Sequence, residues 1–173
     1  VEDLNLVNDL IGTKKFKNLI NFKTYPTIEA QIAAISDDIA YNNHDIQDGL
    51  KANLFSIEEL VEIDFFKNIY KKYKRKINRY TYDIAVYQII RDSIDIMIKD
   101  LISNTLKNLK KNRIKESKDI KKTKDLIVDF SDKIKNSDYE IRFFLKSKMY
   151  NNKNVLKKNN RGKYIIKKLF EMI

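Results

Sequence analysis

The chain has 173 residues, with 35 Lys+Arg against 24 Asp+Glu, a formal net charge of +11, 43% apolar residues and no cysteine. This is enough apolar content for a core in one domain or a large part of one, and it excludes disulfides and thiolate metal sites, which fits a reducing cytoplasm. Three glycines and one proline leave little room for a turn-rich β fold, and no run of 18 apolar residues or signal-like segment occurs, so an all-α, soluble protein of about five to seven helices without a membrane partner is expected.

Residues 1–25 hold an apolar start (Leu4, Leu6, Val7, Leu10, Ile11) and then a basic stretch with Lys14, Lys15, Lys17 and Lys23. A loop through Asn21–Pro26 follows, because the residue before proline disfavours helix. The next stretch, Pro26 to Leu50, breaks with the rest of the chain. It contains no Lys or Arg, and instead carries Glu29, Asp37, Asp38, Asp45, Asp48 and the single histidine, His44. Ile28, Ile32, Ile35, Ile39 and Ile46 recur at steps of three, four and seven, the spacing of one helical stripe. Thr27 is the expected N-cap and Gly49 the expected stop. The opposite face carries Ala30, Ala33, Ala34, Asp37, Tyr41, His44, Asp45 and Asp48. The plain reading of this face is a solvated one; a solvated face in this chain should contain lysine, so the second reading is a helix covered on both sides, with its acids facing a polar cavity. A carboxylate buried there needs a cation or several donors.

Ser56 with Glu59 forms a capping box opening a second helix to Arg75, with Leu60, Ile63, Phe66, Ile69 and Tyr73 on its apolar stripe. The run Lys71–Lys76 is the densest basic cluster. Thr81 to about Asn112 is expected as the longest helix, with Ile84, Tyr87, Ile90, Ile94, Met97, Leu101 and Thr105 facing the core. Lys110–Lys124 reads as a charged surface connection with a short helix, and Leu126–Ser131 is too brief to classify by period. Ser137 with Glu140 suggests another capping box, starting a helix that carries Ile141, Phe144, Leu145, Lys148 and Met149 and ends at Tyr150–Asn152. A terminal helix over Lys163–Ile173 is expected to dock Ile165, Ile166, Leu169 and Phe170.

The segment SDDIAYNNHDIQDGL, with PTIEAQIAAI before it, KANLFSIEEL after it and LKSKMYNN near the end, resembles the signature of the deoxynucleoside triphosphate triphosphohydrolases, the dGTPase-like branch of the HD-domain hydrolases. The resemblance implies the helical C-terminal portion of such an enzyme: a leading segment over 1–25, the signature helix over 26–55 and a C-terminal helical region over 56–173. It implies that Asp37 is the last metal-ligand aspartate of an H…HD…D set, and that Tyr41 and Asp45 hold the deoxyribose, Asp45 at the 3′-hydroxyl. Asp38 is the competing ligand, since only the register to Tyr41 favours its neighbour. His44 is expected to support the site or the fold rather than to ligate. An aspartate is a hard donor suited to Mg²⁺, Mn²⁺ or a similar divalent ion. The H…HD half of the set has no counterpart here, so the chain reads as a fragment, inactive alone, of a parent that hydrolyses dGTP or dNTPs generally to deoxynucleoside and inorganic triphosphate.

Many relatives in this family have a basic or histidine pair where Asn151 and Asn152 stand; Arg142, Lys146 and Lys148 read as ordinary surface charge, with reach to phosphates across a subunit boundary as the alternative. The family implies a homo-oligomer, and some relatives bind single-stranded nucleic acid. The alternative reading is a basic helical nucleic-acid-binding module without catalysis, supported by the net charge and the Lys71–Lys76 cluster.

Overall fold

The structure is a computed structural model that describes residues 25–76, 81–123 and 125–172. The segment before Tyr25 and its expected helix lie outside the described residues. Those described contain seven α-helices and no strand, which bears out the all-α expectation.

Helix α1, Ile28–Lys51, begins where Thr27 accepts a hydrogen bond from the Ala30 N–H, with Glu29 in the first turn where the helix dipole favours an acid. It does not stop at Gly49. The backbone continues to Lys51 and turns at Asn53, whose φ is 52°, while the Leu54 N–H returns to the Gly49 carbonyl at 2.9 Å. Gly49 is there for close approach: a Cβ on it would lie 2.2 Å from Cε1 of Phe55.

Helices α2, Ile57–Leu60, and α3, Asp64–Tyr70, replace the single helix expected from Ser56. The Ser56–Glu59 capping box is present, but bonds of the i→i+3 kind at Glu62 and Ile63 tighten and end the first turn. Leu60, Ile63, Phe66 and Ile69 are nevertheless all buried. A 3₁₀ turn, Lys74–Lys76, follows.

Helix α4, Tyr82–Lys111, runs 30 residues as expected and packs along α1 and α3. Its buried side is Ala85, Val86, Ile89, Ile90, Ser93, Met97 and Leu101. Ile84 and Tyr87, assigned to the core by spacing, are 62% and 52% exposed. The helix carries apolar residues on two faces, and a run of threes and fours merged them.

After the short α5, Ser117–Ile120, the segment 126–131 crosses the core in irregular conformation, with Ile127, Val128 and Phe130 buried. Its backbone is held by side chains from both sides. Gln31 Oε1 accepts from the N–H groups of Ile127 and Val128, both at 3.0 Å. From α4, Asn104 donates to the carbonyls of Asp129 and Phe130, Asn108 donates to that of Ile127, and Asp100 accepts from the Ser131 N–H and hydroxyl. Asp100, Asn104 and Asn108 lie four apart, so one edge of α4 takes the place of a strand partner. Gln31, not Ile32, therefore turns inward; Ile32 is 45% exposed despite lying on the isoleucine stripe.

Helix α6, Asp132–Leu145, starts at Ser131, six residues before the expected cap, because Asp100 fixes Ser131 there. Ser137 is mid-helix and its hydroxyl donates to the Lys133 carbonyl. A π-helical turn, Lys146–Tyr150, continues into Asn151, whose N–H bonds the Lys146 carbonyl. Helix α7, Lys153–Glu171, buries none of its residues. Ile165, Ile166, Leu169 and Phe170 are 47%, 58%, 56% and 77% exposed, so the expected docking is absent among the described residues. The helix meets the body mainly through the π turn.

Two apolar clusters result. One joins Ile46, Leu50 and Phe55 to α2, α3, the start of α4 and Ile141 and Leu145 of α6. The other joins Ile39 to Met97, Leu101, Val128, Phe130 and Ile134. Fully burying each such side chain contributes about 1.5–3 kcal/mol, so α1 is fixed chiefly by α4 and α6.

Candidate active-site ridge on helix α1

Asp37, Tyr41 and Asp45 are four residues apart on α1, so they form a ridge that drifts about 80° while climbing about 12 Å. Asp37 and Tyr41 are exposed and Asp45 is half-buried. Ala30, Ala33, Ala34, His44 and Asp48 are exposed as well, so the predicted cover over this face is not supplied by the described residues. Asp37 and His44 make no hydrogen bond or ion pair among the described residues.

Helix α6 and its π turn bring the partners of this face. Asp138, almost wholly buried, accepts from Asn42 Nδ2 at 3.2 Å and from Arg142 Nε at 2.8 Å. Arg142 also donates through Nη2 to Asp38 Oδ2 at 3.0 Å. Burial pushes the Asp138 carboxyl above the usual aspartate range, and Arg142 and Asn42 pull it back. The guanidinium thus has two acids to neutralise, one inside and one at the rim, with its plane set by the inner one. Farther along the ridge the Tyr150 hydroxyl donates to Asp45. Burial first, then this bond to a carboxylate, raises the Tyr150 phenol well above its ordinary value. Tyr150 lies at the end of the π turn, where the Asn151 N–H bonds the carbonyl five residues back, at Lys146.

Asp37 and Asp38 are thereby distinguished: Asp38 is tied to Arg142, while Asp37 stands open. Of the three cations considered for phosphates, Arg142 reaches the ridge, Lys148 pairs with Glu59 at 2.6 Å, and Lys146 is exposed. Beside the Arg142 pair a groove of about 350 Å³ lies between α1, α6 and the 126–130 segment, with Gln31, Asp38, Phe130, Lys135, Asp138 and Arg142 on its walls. Among the described residues, no three His, Cys, Asp or Glu side chains converge closely enough to hold a metal ion. Asp37 is a donor of the right kind, but the described residues alone do not make a metal site.

Asn42, Asp138 and Tyr150 were not singled out by sequence reasoning as site residues. The four-residue spacing of Asp138 and Arg142 is a legible helical pair; nothing local marks Asn42 or pairs Tyr150 with Asp45. Within the basic cluster, Lys72 is held by Asp92 at 3.0 Å and Lys71 donates to Asn68, so it is less free than its sequence implies. No helix among the described residues is long and apolar enough to cross a membrane.

No family model matches the chain. It is 59% identical, over all 173 residues, to a protein of Pelagibacter ubique named deoxyguanosinetriphosphate triphosphohydrolase-like protein, and covers 47% of it. Proteins of the same name from Rickettsia typhi and Leptospira interrogans are 30% and 32% identical over 98% and 84% of the chain, covering 44% and 39% of theirs. The chain belongs to the dGTPase-like triphosphohydrolase family. It spans about half the length of the curated relatives it matches.

Proposed function

We propose that this chain is part of a metal-dependent hydrolase that converts deoxynucleoside triphosphates to deoxynucleoside and inorganic triphosphate. The observation that carries the reading is the ridge itself: an open carboxylate at Asp37, an exposed tyrosine at Tyr41, and a second carboxylate at Asp45 already oriented by a phenol, on a helix face without lysine. The names of the relatives support the substrate class.

In this reading Asp37 contributes one ligand to a divalent ion, and the remaining ligands come from a part of the protein outside these residues. Such an ion, when bound, acidifies water and offsets charge on phosphoryl oxygens. The chain's own residues position the substrate. Asp45 accepts from a sugar hydroxyl, with Tyr150 fixing the carboxylate's orientation, and the Tyr41 ring lies alongside the sugar. Arg142 stands at the rim, where an incoming triphosphate would compete with Asp38 for its outer N–H groups. The alternative of a nucleic-acid-binding module is less well served, because Lys72 of its basic cluster is already paired within the fold.

The test is release of triphosphate and deoxynucleoside from each of the four deoxynucleotides. The protein assayed is the full-length one that contains this chain, beside the 173-residue chain itself. The expected outcome is activity in the full-length protein and none in the chain alone. Asp37→Ala should abolish turnover. Asp45→Ala should raise KM by about 5- to 150-fold, the loss of about 1–3 kcal/mol for an unpaired hydroxyl. Asp38→Ala should be milder than either. Retained turnover in Asp37→Ala with loss in Asp38→Ala would move the ligand role by one residue.

A further inference from the structure

Two residues of α1 and two of α6 form one connected chain of polar contacts beside the ridge. Asp38 and Asn42 lie one turn apart on α1, and Asp138 and Arg142 one turn apart on α6, so each pair shares a side of its helix. The chain runs from Asn42 Nδ2 to Asp138 Oδ1 at 3.2 Å, from Arg142 Nε to Asp138 Oδ2 at 2.8 Å, and from Arg142 Nη2 to Asp38 Oδ2 at 3.0 Å. It therefore begins and ends on α1. Two carboxylates surround one guanidinium, and they are not equivalent. The Asp138 side chain is 11% exposed, with each oxygen accepting one bond. That of Asp38 is 51% exposed and, among the described residues, accepts from Arg142 alone.

That asymmetry decides which acid gives way. An exposed ion pair contributes little, while a buried carboxylate stripped of its cation is left with a large desolvation cost. An anion arriving at Arg142 therefore displaces Asp38 and leaves Asp138 in place. With Nε held by Asp138, the end of the guanidinium offers one N–H each from Nη1 and Nη2, the pair that a phosphate takes in parallel. Nη1 has no partner among the described residues. The groove of about 350 Å³ between α1, α6 and the 126–130 segment supplies the open side. Asn42 contributes by being neutral: it satisfies the second Asp138 oxygen without a charge that would compete with Arg142 for the carboxylate. We propose that Asn42 and Asp138 are positioning residues that fix Arg142 as a receptor for a polyphosphate, and that Asp38 is a placeholder that occupies it until the polyphosphate binds. This rests on the ridge being a triphosphohydrolase site; there, Asn42 and Asp138 aim the guanidinium, and Asp38 is the group that leaves.

Calorimetric binding of inorganic triphosphate to the full-length protein that contains this chain tests the proposal without turnover. Asp38→Asn should tighten binding by up to about fivefold, the worth of an exposed ion pair. Asp138→Asn should weaken it by about 10- to 100-fold through misplacement of the guanidinium, and Asn42→Ala should weaken it less. In an Arg142→Gln background none of the three should change Kd, because each acts through the guanidinium. An Asp138→Asn protein with a lower unfolding midpoint and a wild-type Kd would overturn the proposal. So would an Asp38→Asn gain that persists without Arg142, or a wild-type protein that binds no triphosphate. Where Asp138→Asn does not fold, the Asp38→Asn gain and its loss in Arg142→Gln still decide. Turnover separates the two readings: these binding shifts in a protein that hydrolyses none of the four deoxynucleotides would overturn the proposed activity and support the positioning.

Discussion

Replacing Gly49 by alanine sets two known effects against each other at the end of α1. Within a helix, alanine is favoured over glycine by about 0.5–1 kcal/mol. Against that, the new Cβ would meet Phe55 at 2.2 Å from Cε1 and 2.4 Å from Cζ, distances no packed pair sustains. The Phe55 ring has nowhere to go: it is 5% exposed and stands edge-on to Phe144, with centroids 4.8 Å apart and planes at 79°. Overpacking of this kind costs about 1–3 kcal/mol, and spoiling the aromatic pair about 0.5–1.5 kcal/mol more. The clash wins, with a net destabilisation of about 1–3 kcal/mol, or about 2–4 °C in the unfolding midpoint for each kcal/mol. Thermal unfolding followed by circular dichroism measures it. In a Phe55→Ala background the clash is gone, and the same glycine replacement should then stabilise by the propensity difference alone. A Gly49→Ala protein more stable than wild type, or an effect of equal size and sign in both backgrounds, would refute the reasoning.

Two further outcomes follow from the polar contacts. The bond from Lys148, with that from the Ser56 N–H, holds the Glu59 carboxyl below its ordinary 4.5. A folded-state pKa below the unfolded one stabilises above the unfolded value and loses that contribution as pH falls through the folded one. The stability gap between wild type and Glu59→Gln should therefore be full above pH 4.5 and close in more acid solution; a gap that acid leaves unchanged would refute this. Gln31→Leu strands the buried N–H groups of Ile127 and Val128 at about 1–3 kcal/mol each. Urea unfolding should show a loss of about 2–4 kcal/mol after the gain from leucine burial; Gln31→Glu keeps an oxygen that can accept from both N–H groups but loses the Nε2 donation to the Pro26 carbonyl at 2.8 Å.

The sequence is informative here where a physical signal is local. The capping box at Ser56, the N-cap at Thr27 and the uninterrupted span of α4 each follow from residues within a few positions of one another. What it obscures is how a helix is rotated. Ile84 and Tyr87 share a period with Met97 and Leu101 but not a face, and periodicity alone does not separate two stripes on one 30-residue helix. Ser137 and Glu140 satisfy the spacing of a cap, yet a distant carboxylate at Asp100 had already started the helix. Asp37, Tyr41 and Asp45 are named by the family resemblance within one contiguous stretch, whereas Asn42, Asp138 and Tyr150 acquire meaning only when α6 and its π turn reach α1.

That last dependence sets a clock. Asp38 and Arg142 are 104 residues apart, Asp45 and Tyr150 105, and Asn42 and Asp138 96. Closing such distances forfeits chain entropy before any contact is made, so these pairs form late. At a synthesis rate of about 5–20 residues per second, Arg142 is added about 5–20 s after Asp38. Through that interval Asp38 lacks the guanidinium, and Asp45 the phenol, that hold them in the folded chain. A chain cut short before Arg142 would keep the ridge and lose both the guanidinium and the phenol that hold it.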